Sequence, residues 1–235
     1  MIPINEIFAS VDGEVNNCGQ GFPTVFIRVQ GCNLRCSYCD TQHSQSMNFE
    51  KMMSVETIFH IVQQSGFKKV TITGGEPLIY TTKLLRLCKL LVDYKFKISI
   101  ETNGTYKIPD FEPWLRSIDW VVDYKLDCLD QTVESFSSHI PDCFSGWVKF
   151  VIGGQTDFII ACETSSLLAS SFYRRGGKDF KFAFSPMFEK ITADQLFSWM
   201  VDMKDKYPEL LKRTSINTQL HKFIFPKGEK NHILA

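Results

Sequence analysis

Apolar residues along this chain fall into short β-rich runs separated by stretches in which they recur every three or four positions, and the alternation repeats. Thr24-Val25-Phe26-Ile27-Arg28-Val29-Gln30 is the first strong run, dominated by β-branched and aromatic residues, and it reads as a buried strand. Ahead of it, residues 5–11 form a short half-apolar segment, followed by Asp12-Gly13-Glu14-Val15 and a polar loop with Gly19 and Gly21. Beyond it, Ser54 is placed to cap a helix with Ile58, Ile61 and Val62 on one face and Gly66 as its stop, and residues 69–73 follow as a strand. Leu84, Leu85, Cys88, Leu91 and Val92 make the next helical stripe, with strands expected at 97–101 and 119–124. Residues 146–152 precede a helix through Phe158, Ile159 and Cys162, and residues 180–185 precede one capped by Thr192 with Gln195 three residues on. Six central, apolar strands alternating with helices predict an α/β fold. Right-handed crossovers curl its parallel sheet into an incomplete TIM-like barrel of about six βα units. Ligands in such folds bind at the carboxyl ends of the strands.

Composition narrows the picture without changing it. At 235 residues with 44% hydrophobic and 22% charged content, one soluble domain is the default, running from residue 1 to 235. The 26 basic and 26 acidic residues cancel and no Lys/Arg run exceeds two, so a nucleic-acid partner is disfavoured. No apolar run reaches membrane-spanning length, and the first residues lack the basic and apolar regions of a signal peptide, so a cytoplasmic protein is expected. Thiols there stay reduced, and clustered cysteines more often bind metal than form disulfides. Of the eight cysteines, Cys18, Cys88, Cys128, Cys143 and Cys162 stand apart from one another; Cys88 and Cys162 fall on apolar helix faces and read as core.

The other three cysteines share the loop that follows the first strand. In Gly31-Cys32-Asn33-Leu34-Arg35-Cys36-Ser37-Tyr38-Cys39-Asp40-Thr41 they are spaced x3 then x2. A structural zinc site takes four protein ligands and a ferredoxin-type cluster four thiolates, so a lone triplet suits a 4Fe-4S cluster with one iron left for an outside ligand. A zinc knuckle or ordinary buried thiols are the plainer alternatives. Three more strand ends carry unusual residues. Thr73-Gly74-Gly75-Glu76-Pro77 lets backbone approach a ligand closely and offers a carboxylate to an ammonium group. Glu101-Thr102-Asn103-Gly104-Thr105 reads locally as a polar turn in which Asn103-Gly104 supplies positive φ. Asp123-Tyr124-Lys125 ends its strand with an acid and a base that either form an ion pair or meet a ligand. Arg28, a cation within an apolar strand, needs either a structural acid or a pocket for an anionic ligand.

The cysteine triplet followed by Gly-Gly-Glu-Pro resembles the radical S-adenosylmethionine superfamily. Within it, the chain looks like the 7-carboxy-7-deazaguanine synthase family of 7-deazapurine (queuosine) biosynthesis. The segments that carry this likeness are Asn5-Glu6-Ile7-Phe8 with Gly13-Glu14, Phe26-Ile27-Arg28-Val29-Gln30-Gly31-Cys32, Cys39-Asp40-Thr41, and Asn217-Thr218-Gln219-Leu220-His221-Lys222. The resemblance implies a 4Fe-4S cluster on Cys32, Cys36 and Cys39 and S-adenosylmethionine at Tyr38, Cys39, Asp40, Gly75, Glu76, Gly104, Asp123, Tyr124 and Lys125. It also implies Mg2+ at Thr41 and a pterin substrate at Val11, Asp12, Gly13, Glu14, Arg28, Thr102 and His221. The implied reaction is a lyase-type ring contraction of 6-carboxy-5,6,7,8-tetrahydropterin to 7-carboxy-7-deazaguanine with loss of ammonia. A 5′-deoxyadenosyl radical would start it, a donor such as flavodoxin or ferredoxin would supply the electron, and the working form would be a cytoplasmic homodimer.

Two departures stand out. The family commonly has Gln-Gly-Glu-Gly at Asp12-Gly13-Glu14-Val15 and often Ser-Pro-Lys at Asp123-Tyr124-Lys125. An ionised aspartate only accepts hydrogen bonds where glutamine also donates, which puts the contacts of residue 12 with a ring acceptor in doubt. The tail at 223–235 is longer than the resemblance leads one to expect. A glycyl-radical activating enzyme shares several of these motifs but lacks the Cys-Asp-Thr and Asn-Thr-Gln-Leu-His-Lys pieces, and a metal-binding interaction module is the non-enzymatic alternative. Single alanine changes at Cys32, Cys36 or Cys39 should abolish both cluster assembly and S-adenosylmethionine cleavage after anaerobic reconstitution; equal loss from Cys18→Ala or Cys128→Ala would overturn the ligand assignment.

Overall fold

The computed structural model describes residues 1–49, 51–127, 131–142, 144–177, 180–225 and 232–235, so Cys128 and Cys143 lie outside the described residues. In chain order the elements are β1 (Ile2–Val11), β2 (Pro23–Val29), β3 (Met52–Met53), α1 (Val55–Gln64), β4 (Lys69–Gly74), α2 (Thr81–Asp93), β5 (Lys97–Thr102) and β6 (Ile118–Tyr124). They continue with α3 (Val133–His139), β7 (Gly146–Ile152), α4 (Gln155–Arg174), β8 (Lys181–Pro186), α5 (Ala193–Asp202), α6 (Pro208–Leu211), β9 (Thr214–Ile216), α7 (Leu220–Ile224) and β10 (His232–Ile233). Two compact units emerge: residues 1–102, 111–120 and 219–235 form the first, and residues 103–110 and 121–218 the second. Among the described residues no helix is long and apolar enough to cross a membrane.

In the first unit β2, β4 and β5 pair in parallel, with Arg28 level with Thr73 and Val70 level with Ile98. The six expected strands all form, and β1 is added to them antiparallel to β2. Its full length escaped the sequence pattern because the register slips between Ile4 and Glu6. A bulge there inserts one residue, and the buried positions Ile2, Ile4 and Ile7 no longer follow a period of two. The chain's last described residues return to the other side of β1, with Phe8 opposite Ile233 and both backbone groups of Ala235 bonded to Ile7. That places the end of the tail and covers an edge that would otherwise offer unpaired backbone. Helix α1 starts where Ser54 Oγ accepts from the Thr57 amide at 3.0 Å, and it buries Ile58, Phe59 and Val62. Helix α2 buries Leu84, Leu85, Leu87, Cys88 and Leu91.

In the second unit β7, β8 and β9 are parallel. Its core is phenylalanine: Phe136, Phe150, Phe158, Phe180, Phe182 and Phe184 are all fully buried, and Phe184 meets Phe150 and Phe158 edge-on at 5.8 and 5.9 Å. Such pairs add roughly 0.5–1.5 kcal/mol each to the area they remove from water. The capping box of Thr192 with Gln195 starts α5 as expected, and Thr132 with Ser135 makes a second one on α3. Helix α4 runs through Phe158, Ile159 and Cys162 as expected. Ile159 is exposed, because the buried stripe of α4 runs through Phe158, Ala161, Cys162, Ser165, Leu168 and Phe172, and residue 159 falls outside it. Phe150→Ala should cost about 3–5 kcal/mol in urea unfolding, whereas Ile159→Ala should stay within about 0.5 kcal/mol of the parent.

Candidate active site

The cysteine loop leaves β2 and is closed on itself by backbone. Gly31 N–H donates to Ser44 O at 2.7 Å, and Ser44 N–H donates to Thr41 O at 2.9 Å. Gln30 is the hub beneath it. Its amide accepts from Asn5 Nδ2 at 2.8 Å and donates to Ser46 O at 2.9 Å, while its backbone carbonyl accepts from Tyr80 Oη at 2.7 Å. Cys32, Cys36 and Cys39 are half-buried on this closed loop. Among the described residues no three metal-ligating side chains close on a single point. A 4Fe-4S cluster does not ask that of them, because each thiolate takes its own iron, so three cysteines on one short loop are a fitting donor set. Tyr38 is half-buried and Asp40 exposed beside them. Thr41 Oγ1 lies 3.6 Å from Cys39 Sγ, and the Thr41 side chain makes no capping bond to the 3-10 turn that follows.

The Gly-Gly-Glu-Pro segment is laid directly against the start of this loop. Gly75 N–H donates to Val29 O at 3.0 Å and Glu76 N–H to Gly31 O at 2.8 Å, and a Cβ on Gly75 would overlap the Gly31 carbonyl. Only glycine permits that approach. Glu76 is fully buried. Its Oε1 accepts from Leu78 N–H at 2.9 Å, capping the turn over Pro77–Tyr80, and from Thr102 Oγ1 at 2.6 Å. Thr73 Oγ1 donates to Glu101 at 2.8 Å. Two residues read as ligand contacts, Glu76 and Thr102, are thus bonded to each other in this structure.

The amino-terminal and carboxyl-terminal signatures meet. Leu220 N–H donates to Gly13 O at 3.0 Å, Gln219 Nε2 donates to Glu14 Oε1 at 2.9 Å, and Gly13 comes so near His221 that a Cβ would overlap the imidazole. From the cysteine loop, Asp40 accepts from Gln219 at 3.4 Å and pairs with Lys222 at 3.7 Å. Burial pushes the His221 imidazole below its ordinary range, with Glu14 pulling the other way, so the ring is neutral at pH 7. Val11 is half-buried at the end of β1, while Asp12 is fully buried and paired with Lys69 at 2.6 Å. Arg28 finds the structural acid that its position called for: its Nε lies 2.8 Å from Glu6 Oε1, and its guanidinium sits over the Phe8 ring.

In the second unit Gly104 has φ of +74°, and Asn103 Oδ1 accepts from Thr105 N–H and Oγ1 at 3.0 and 2.6 Å, the polar turn that the local sequence describes. Asp123 pairs with Lys125 at 2.6 Å and Lys149 at 3.1 Å. Burial opposes its ionisation, but the two lysines outweigh that and hold the carboxyl below the usual range. The Tyr124 ring stacks on Phe150 in the core and its hydroxyl donates to Gln131 O at 2.7 Å. The ion-pair reading of this stretch therefore holds within the unit.

Comparison with known proteins gives the class. The family model described as the Radical SAM superfamily matches residues 26–154, and the crystal structure of QueE from Escherichia coli shares the fold with a TM-score of 0.67 at 22% identity over 93% of each chain. That likeness bears out the open, mostly parallel α/β fold and the partial barrel expected of the βα repeat. A 7-carboxy-7-deazaguanine synthase from Clostridium acetobutylicum is 30% identical over 96% of each chain, and one from Methanospirillum hungatei is 41% identical over 66% of this chain and 62% of that one. The chain belongs to the 7-carboxy-7-deazaguanine synthase family.

Sequence reasoning gave no role to Glu6, Gln30, Lys69 or Gln219, although Glu6, Gln30 and Gln219 stood within the quoted signatures. Lys69 carried a signal, a cation opening an apolar strand, of the kind that singled out Arg28. Gly75→Ala must push the two loops apart, and the variant should lose cluster content while its second unit keeps the parent's amide protection. For His221 the pH sign follows from burial: its folded pKa lies below the ordinary 6.5, so the unfolded chain binds the proton more readily and stability falls as pH drops through 6.5. Melting of the parent should therefore fall more steeply than that of His221→Gln between pH 7.5 and 5.

Proposed function

We propose that this protein converts 6-carboxy-5,6,7,8-tetrahydropterin to 7-carboxy-7-deazaguanine with loss of ammonia, in the cytoplasm and as a homodimer, with a flavodoxin- or ferredoxin-type electron donor. The observation that carries the reading is 30% identity with the Clostridium acetobutylicum synthase over 96% of both chains. The cysteine triplet on the loop after β2 supports it. When bound, the 4Fe-4S cluster and S-adenosylmethionine supply a 5′-deoxyadenosyl radical able to take hydrogen from C6 of the pterin.

The protein's part is placement and exclusion of water, since a primary alkyl radical that misses one C–H bond is quenched elsewhere. Cys32, Cys36 and Cys39 hold the cluster. Tyr38, Cys39, Asp40, Gly75 and Glu76 contact the cofactor in this reading, with Gly104, Asp123, Tyr124 and Lys125 assigned to it on the resemblance alone. Arg28 binds the pterin carboxylate through its outer guanidinium nitrogens, and Glu6, bonded to Nε, fixes the plane of that fork. His221, neutral at pH 7, offers one donor and one acceptor to the substrate. Val11, Asp12, Gly13, Glu14 and Thr102 complete the substrate contacts. Thr41 would offer one oxygen to Mg2+, a cation that keeps few protein ligands when its substrate brings oxygens.

Mass spectrometry of an anaerobic reaction containing the pterin, S-adenosylmethionine and a reductant tests the reading: product should form with no added macromolecular substrate, and a requirement for one would overturn it. In that assay Arg28→Ala should raise the pterin KM by on the order of tenfold to a hundredfold, the loss of a charge-assisted pair. Unchanged affinity would leave Arg28 with the purely structural role of pairing Glu6. Thr41→Val should keep the cluster and lose the response of turnover to Mg2+, whereas a retained response would remove Thr41 from the metal.

A further inference from the structure

We propose that Lys69 is a positioning residue for the substrate side of the site: through its pair with Asp12 it sets the loop at 12–22, and that loop holds Gln219, Leu220 and His221 in place. The inference rests on the reading of Glu14 and His221 as substrate-binding residues. Lys69 is the first residue of β4 and is buried. Its ammonium lies 2.6 Å from Asp12 Oδ2 and donates to Asn16 Oδ1 at 2.8 Å and to Gly19 O at 2.5 Å. An ammonium has three donors, and all three are used within the one loop, on both of its arms.

The loop is fastened at further points. Asp12 also accepts from Thr71 Oγ1 at 2.9 Å; its N–H donates to Phe22 O at 2.9 Å and its carbonyl accepts from Gly21 N–H at 2.8 Å. Asn17 donates to both carboxylate oxygens of Asp119, and the Cys18 thiol donates to Ile98 O. The inner side of the loop is thus fixed to the first residues of β4, β5 and β6. Its outer side carries the carbonyl of Gly13, bonded to Leu220 N–H, and Glu14, bonded to Gln219. For stability alone an apolar pair of similar volume would serve about as well as a buried ion pair. What the ammonium adds is direction: three bonds that set the two arms of the loop and with them the angle at which Gly13 and Glu14 face α7.

The test compares Lys69→Met with the double variant Asp12→Leu/Lys69→Met, which leaves no stranded charge behind. Amide exchange at Leu220, pterin KM, iron content and reductive S-adenosylmethionine cleavage without pterin are measured on the full chain. Both variants should exchange Leu220 faster and raise pterin KM by on the order of tenfold, with iron content and basal cleavage of Lys69→Met within about twofold of the parent. A double variant that melts like the parent and keeps its Leu220 exchange and KM would overturn the proposal and leave the pair as filling; should Lys69→Met fail to fold, Leu220 exchange in the double variant decides, because its KM also carries the loss of the Asp12 contact. A parent that does not turn over the pterin at all would sink the functional reading, while the Leu220 exchange would still decide whether Lys69 positions α7.

Discussion

Everything in the first unit that bears on chemistry depends on one backbone crossing, where Gly75 passes against the carbonyl of Gly31. Two hydrogen bonds, from Gly75 N–H to Val29 O and from Glu76 N–H to Gly31 O, join the carboxyl ends of β2 and β4 at that point. Because the join is backbone to backbone, the cysteine loop and the Gly-Gly-Glu-Pro turn have almost no freedom relative to each other. Gln30 and Tyr80 reinforce it from below, and Glu76 extends it to β5 through Thr102. Three strand ends are thereby made one rigid rim, which is what a reaction governed by sub-ångström placement requires.

The rim was legible in the sequence because each of its parts sits where the local rule for strands breaks: glycines and cysteines where β-branched residues stop. The six expected strands were legible for the complementary reason, an apolar run of the right length before each loop. What the sequence hid is mostly antiparallel or paired at long range. Strand β1 is masked by the bulge at Asn5, and β10 by its short length and exposed side chains. The pairs Glu6 with Arg28 and Asp12 with Lys69 join residues 22 and 57 positions apart, and nothing local to either member names the other.

Buried charge is handled differently in the two units. In the first, Asp12 and Lys69 balance one another, whereas Asp119 nearby has its carboxyl pushed up to about 6 by burial despite the bonds from Asn17. In the second, Asp123 sits between two lysines and stays ionised. An acid with surplus cationic company keeps its charge and its geometry at any pH at which the protein works. Asp119, held by hydrogen bonds with Lys69 acting only at a distance, gives up part of that constancy.

The two ends of the described chain lie in the same unit, with 232–235 paired against β1 and α7 bonded to Gly13. That arrangement dictates an order of assembly on the ribosome. The second unit is drawn entirely from residues 103–218, so all of it has emerged before the segment that completes the first. During translation, then, β1 waits with the Ile7–Ala9 part of one edge bare and the cysteine loop lacks Gln219 and Lys222 beside Asp40. Domains tend to fold as they emerge, and here the strand and helix that complete the first unit follow the whole of the second, so its unprotected interval lasts as long as residues 121–218 take to synthesise.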